Sequence, residues 1–235
     1  PNLSWFSRYP APLRIGVFLL TLGILWVPLA APFYIFLSDQ NLITILTLII
    51  LYTLFVLLLQ FFWGRWVYQR PDLLRCYGLE ISRRNGLELL SGLAIGLISL
   101  FLLFTTEGLL GWIVWQPGTM ALPRLVAEGL LMSLALGCAE ELLFRGWLLT
   151  ELQRDYKSGV AILINAGIFA AVHFLRPLDQ LIRMLPAFPS LFLLGWTLGW
   201  AKGSRGSRYG REQWGRLGLP IGLHAGLVWG YYIVN

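Results

Sequence analysis

Seven stretches of 17 to 27 residues, at 12–37, 42–63, 89–113, 124–150, 159–176, 185–201 and 217–234, are almost wholly apolar. A helix of about 20 such residues crosses a hydrocarbon core about 30 Å thick. Lipid offers no partner to a bare peptide group, so closed hydrogen bonding within each helix is the conformation open to such runs. The fold expected is therefore all-α, a polytopic transmembrane bundle of about seven helices, with an eighth if the native chain runs past Asn235. Composition agrees: 57% of residues are hydrophobic, 13% are charged and the mean hydropathy is +0.68, which excludes an ordinary soluble domain. Aromatic side chains near run ends (Trp63, Trp66, Tyr68, Trp112, Trp115, Trp200) read as interfacial belts. No repeat, low-complexity tract or linker interrupts the chain, so residues 1–235 are expected to form one integral membrane domain. The first run is too long for a signal sequence and lacks a small-residue cleavage site, which makes it a retained span.

The sequence carries a formal net charge of +6, concentrated between the runs. One connection, Gly64 to Glu88, holds Arg65, Arg70, Arg75, Arg83 and Arg84; another runs from Lys202 to Arg216. Short Lys- and Arg-rich loops stay on the cytoplasmic side. With the N-terminus inside, these connections fall inside together with Arg8, Arg14, Arg154 and Lys157, leaving Arg124, Arg176 and Arg183 outside. The basic balance then answers to anionic lipid head groups and requires no nucleic-acid partner. The two cysteines, Cys76 and Cys138, fall in a loop and in an apolar helix and suggest neither a disulfide nor a CxxC site. Glycines spaced for close helix approach occur at Gly92/Gly96, Gly195/Gly199 and Gly222/Gly226/Gly230.

Within the fourth run the chain reads Ala139-Glu140-Glu141-Leu142-Leu143-Phe144-Arg145. Charges at membrane depth cost several kcal/mol unless paired or set in a polar cavity, so they mark function. Glu141 and Arg145 are i,i+4 neighbours and can neutralise each other. Glu140 points about 100° away with no partner at helical spacing, which suits a general base or acid. The competing reading is a buried ion cluster that only fixes packing. The two histidines, His173 and His224, each sit in an apolar run. At about 1.5 Å of rise per residue, Glu140 lies roughly 18 Å and His173 roughly 21 Å from the inner helix ends, and His224 roughly 12 Å; the three can meet. Glu107 and Glu128 lie near outer ends, where snorkelling explains them. Cys138 has no histidine at helical spacing and reads as a small hydrophobe.

Glu140-Glu141-x-x-x-Arg145 and Phe169-x-x-x-His173 resemble the EExxxR and FxxxH signatures of the CPBP intramembrane proteases (CAAX protease and bacteriocin-processing, or Abi, including Rce1-type prenyl-protein endopeptidases). His224 looks like the histidine of that family's third motif. The resemblance covers roughly 124–234, a CPBP-like core of the last four helices, whereas the helices of 12–113 match it only in being hydrophobic. It implies an intramembrane endopeptidase, a peptide hydrolase, acting on membrane-associated peptides or proteins. By the same resemblance Glu140 would activate water, His173 would help hold it, and His224 would stabilise the developing negative charge. Glu141 and Arg145 would order the site. Phe169 and Phe144 would line the substrate cleft. The family's third motif continues to Asn or Asp four residues beyond its histidine; here that position is Val228. A valine cannot donate to an oxyanion, and Asn165 is the one nearby candidate to replace it. A metal such as Zn²⁺ on Glu140, His173 and His224 would form a His₂Glu set; hydrolysis without metal uses the same atoms. The alternative to a protease, motivated by Val228, is an impaired relative serving as assembly factor or subunit of a larger membrane complex. A proton-coupled transporter is a third class, but the inverted repeat expected of one is not visible.

Overall fold

The computed structural model describes residues 2–115, 122–174, 178–203 and 215–234. These divide into two compact units, Pro1–Cys76 and Tyr77–Asn235. The described residues are helical apart from connections, and five helices are long and apolar enough to cross a membrane. Residues 204–214 of the second basic connection, and Arg176, lie outside the described residues.

In the first unit, α1 (Ala11–Phe36) packs on α2 (Gln40–Val67). Pro12 sits in the first turn of α1, where its missing N–H costs no helical bond. Asp39 caps α2 by accepting from the amides of Asn41 and Leu42 at 2.9 and 3.1 Å. Between the helices, Phe18 meets Phe55 and Trp63 edge-to-face at 5.7 and 5.0 Å. The indole of Trp26 donates to the Thr47 carbonyl at 2.9 Å.

The second unit contains α3 (Arg83–Leu109), α4 (Leu122–Gln153), α5 (Ser158–Val172), α6 (Phe188–Gly203) and α7 (Gly218–Val234). A short helix, Leu178–Met184, and a 3₁₀ turn, Leu185–Ala187, precede α6. Four boundaries differ from those expected, each for a local reason. Ser82 accepts from the Asn85 amide at 3.2 Å, so α3 starts at Arg83 and takes in Glu88, which hydropathy alone leaves in the loop. Its far end closes in a Schellman turn: Gly111 has φ +72°, and the amides of Gly111 and Trp112 return to the carbonyls of Gly108 and Glu107 at 3.1 and 2.9 Å. Helix α5 stops at Val172 with His173 as its C-cap rather than inside it, the His173 amide turning back to the Ala170 carbonyl at 3.1 Å. Finally, Lys202 belongs to α6, not to the basic connection.

Helix α7 is the centre of this unit, packed most extensively on α3 and then on α4. On α3, Gly92 and Gly96 face Gly222 and Gly226 of α7; a Cβ on any of the four would press on a backbone carbonyl of the other helix. With no hydrophobic force between helices in lipid, such close contact of backbones supplies the attraction. One end of the pair is closed by Arg216, whose Nε and Nη2 reach both carboxylate oxygens of Glu88 at 2.9 and 2.5 Å. Both side chains are buried, 5% and 8% exposed. The Glu88 hydrogen bond raises the Arg216 guanidinium above its ordinary value. Beside it, the Gly218 amide donates to the Asn85 side chain at 2.7 Å.

Candidate active site

The signature residues lie where α4 changes its winding. From Leu142 to Leu148 the helix is a π-helix, with hydrogen bonds spanning five residues instead of four; such turns are rare and gather at functional sites. Glu140 and Glu141 end the regular part, and Arg145 sits inside the wide turn. Arg145 donates from Nη1 to Glu141 Oε1 at 2.8 Å with both side chains fully buried. Its Nη2 donates to the Gly195 carbonyl of α6 at 3.0 Å.

Spacing on α4 anticipates the Glu141–Arg145 pair, but not the third member of the cluster. Glu141 Oε1 also meets His224 Nδ1 of α7 at 2.9 Å, so one carboxylate oxygen joins arginine and imidazole. A carboxylate accepts, hence Nδ1 carries the proton and Nε2 of His224 is turned toward Glu140, 3.9 Å from Oε2. His173 is oriented the same way. Its Nδ1 lies 2.7 Å from the Phe169 carbonyl one turn back, which again can only accept, and its Nε2 stands 3.8 Å from Glu140 Oε2. The three groups named from separate helices thus converge on one carboxylate oxygen. Glu140 Oε2 itself makes no hydrogen bond. Exposure grades the cluster: Glu141 and Arg145 are 0% exposed, His224 6%, Glu140 23% and His173 32%. The site therefore opens on the Glu140–His173 side and is anchored on the Glu141–Arg145 side.

Phe144 and Phe169, expected at the substrate, are buried. They pack edge-to-face at 5.0 Å, and the Arg145 guanidinium lies over the Phe169 ring, 4.4 Å from its centre. A cation on an aromatic face is attracted by the ring quadrupole, more so when desolvated; the two rings back the arginine instead of offering a face outward. Asn165, considered as an oxyanion donor, is fully buried and donates its amide to the Phe144 carbonyl at 2.8 Å. It braces the π-turn. Lys202 was missed by reading the chain for hydropathy. It is 3% exposed, and its Nζ donates to the Arg145 carbonyl at 2.5 Å and to Thr150 Oγ1 at 2.9 Å. The signal that could have found it is spacing: Gly195, Leu198, Gly199 and Lys202 fall at i, i+3, i+4 and i+7, the buried face of α6.

The donor set has the chemistry of a His₂Glu metal site, with each imidazole held by its other nitrogen as metal-bound histidines usually are. Its spacing does not fit: donors about 2.0–2.1 Å from a tetrahedral zinc stand about 3.3 Å apart, against 3.8 and 3.9 Å here. Among the described residues no group of three or more His, Cys, Asp or Glu stands at metal-holding distance. Gaps of this size, too long for a direct hydrogen bond, are short enough for one water to bond both sides.

The model of the type II CAAX prenyl endopeptidase Rce1-like family matches residues 122–230. No curated protein and no solved structure matches the chain. The matched segment, a little under half of the chain, contains the glutamate pair, the arginine, both histidines and the helices that bring them together, and over this segment the chain is similar to the Rce1-like family.

Proposed function

We propose that the protein is an endopeptidase that hydrolyses peptide bonds of membrane-associated substrates with a water activated by Glu140. The observation that carries this reading is the unbonded Glu140 Oε2, buried itself although the side chain is 23% exposed, and flanked by two imidazole Nε2 atoms at 3.8 and 3.9 Å. Because His173 holds its proton on Nδ1, its neutral Nε2 is an acceptor. A water between Glu140 and His173 then gives one O–H to each, leaving an oxygen lone pair free to attack a carbonyl carbon. As the O–C bond forms, Glu140 takes the proton. His224, paired to Glu141 as Arg145 is, can carry a second proton on Nε2 and donate it as a hydrogen bond to the carbonyl oxygen as that oxygen becomes negative. The C–N bond then breaks, Glu140 returns the proton to the leaving nitrogen, and one water has been consumed.

The test is cleavage of a membrane-anchored peptide library by purified protein in lipid nanodiscs, wild type against Glu140→Gln. We expect cleavage by the wild type, with and without a metal chelator, and a loss of at least about 10³-fold in the variant, as for removal of a reaction's general base. Equal inertness of two well-folded proteins across the library would overturn the reading. One observation favours a second reading, an assembly factor or subunit that keeps the cluster as structure: Val228, not Asn or Asp, lies one turn beyond His224. Stoichiometric co-purification with a membrane protein, unchanged by Glu140→Gln, would support it.

A further inference from the structure

In a regular helix the amide of Leu149 would bond to the carbonyl of Arg145, four residues back. Here it bonds to Phe144, five residues back. The Arg145 carbonyl receives Lys202 Nζ at 2.5 Å instead. The Phe144 carbonyl, besides the Leu149 amide, accepts the Asn165 side chain at 2.8 Å. A π-turn is an inserted residue: closing it to α geometry would rotate whatever precedes it by about 100° relative to whatever follows. Glu140 and Glu141 precede it and Arg145 lies within it, so the relative aim of the cluster depends on this winding.

Arg145 is, moreover, held at both ends by α6. Its guanidinium donates to the Gly195 carbonyl and its own carbonyl accepts from Lys202, seven residues and two turns further along the same face. On the same face, glycines let α6 lie close against α5. A Cβ on Gly195 would stand 3.0 Å from the Phe169 ring and 3.1 Å from the Ala166 backbone, and one on Gly199 2.9 Å from Ile162. A buried amino group must find hydrogen-bond partners, and this one donates to a backbone carbonyl and to Thr150 Oγ1.

We propose that Lys202 is a positioning residue: its terminal nitrogen replaces the amide that the π-turn diverts from Arg145, and so keeps the turn that sets Arg145 against Glu141, the partner of His224. The catalytic part of this inference rests on the endopeptidase reading above; the structural part does not. Because the chain has two histidines, protein labelled with ¹⁵N in its imidazoles yields two ring systems, and the His224 Nδ1 resonance reports the bond to Glu141 directly. In Lys202→Met we expect that resonance to move toward the unbonded imidazole value. We also expect kcat to fall about 100-fold with KM changed less than threefold, and Lys202→Arg, which can still donate to the carbonyl, to recover kcat to within tenfold of wild type. An unmoved His224 resonance in a folded Lys202→Met protein overturns the proposal whatever the activity does. So does an equal loss in Lys202→Arg. A moved resonance in a protein whose wild type cleaves nothing upholds the positioning role and removes the endopeptidase reading instead. Should Lys202→Met fail to insert, Lys202→Gln, shorter and uncharged, is read by the same resonance.

Discussion

At the scale of single residues, the two glutamates have separate tasks because their surroundings differ. Glu141 is shared between Arg145 and His224 at 2.8 and 2.9 Å, whereas Glu140 Oε2 is left for a third party. Helical spacing in the sequence already divides them, since only Glu141 is four residues from Arg145. What spacing could not give is the link from Glu141 to His224, 83 residues along the chain, because a contact between helices depends on how they pack. The burial of Phe144 and Phe169 was illegible for the same reason: in an apolar helix every phenylalanine has the same hydropathy whichever way it faces. Val228 is where the residue scale makes its sharpest forecast. One oxyanion donor is typically worth 10²–10³ in rate, and one turn of helix separates Val228 from His224. Val228→Asn should therefore raise kcat toward membrane-anchored peptides by on the order of 10², measured in the same nanodisc assay. An unchanged kcat would mean that His224 alone, or another group, already serves the oxyanion.

At the scale of elements, the positions of seven apolar helices were readable from hydropathy, five of them long enough to cross a membrane and two, α5 and α7, shorter than the spans expected. Their ends were less so, since caps are set by single residues: Ser82, Gly111 and the C-cap His173 move boundaries by three to six residues from where the apolar runs stop. Charged residues near the ends were the main casualties. Glu88, Lys202 and Arg216 look like solvated loop charge in the sequence, yet each is buried and paired. The contact of α3 with α7, by contrast, follows from glycine spacing. Gly222→Val should place methyls on the Leu89 carbonyl and destabilise by at least about 1–3 kcal/mol, the usual cost of overpacking. Gly86→Ala, with open space around it, should stabilise by up to about 1 kcal/mol. Thermal unfolding in one detergent compares the two; similar effects would mean that α3 and α7 are not in backbone contact. The Glu88–Arg216 pair allows a second check. Removing one partner of a buried pair typically costs about 3–5 kcal/mol, while replacing both with apolar groups can be neutral. Glu88→Leu alone should thus be far worse than Glu88→Leu with Arg216→Met, and a simple sum of the two single losses would show that the pair is not coupled.

At the scale of the molecule, the site and the charge distribution have to be consistent with one orientation in the bilayer. Glu140, His173 and His224 come from the middle of α4, the end of α5 and the first half of α7. The side of the bilayer from which they are reached follows from which helix ends face which side, for which basic connections are the usual guide. Arg154 and Lys157 sit in the exposed turn between α4 and α5. If Lys- and Arg-rich turns are cytoplasmic, this turn is inside, and so is the Arg83 end of α3. From that turn, Glu140 is reached after about 13 residues of helix, or roughly 20 Å at 1.5 Å per residue. His173 on α5, counted from Ser158, is about 15 residues and roughly 22 Å deep. Equal depth on two antiparallel neighbours is what lets Oε2 and Nε2 come within 3.8 Å. A single cysteine at Lys157, in a protein whose Cys76 and Cys138 are replaced by alanine, tests the orientation. A membrane-impermeant maleimide should label it in inside-out vesicles and leave it unlabelled in right-side-out ones. The reverse pattern would turn the molecule over, move the turn between α4 and α5 to the outer face, and require the substrate bond to be reached from that side instead.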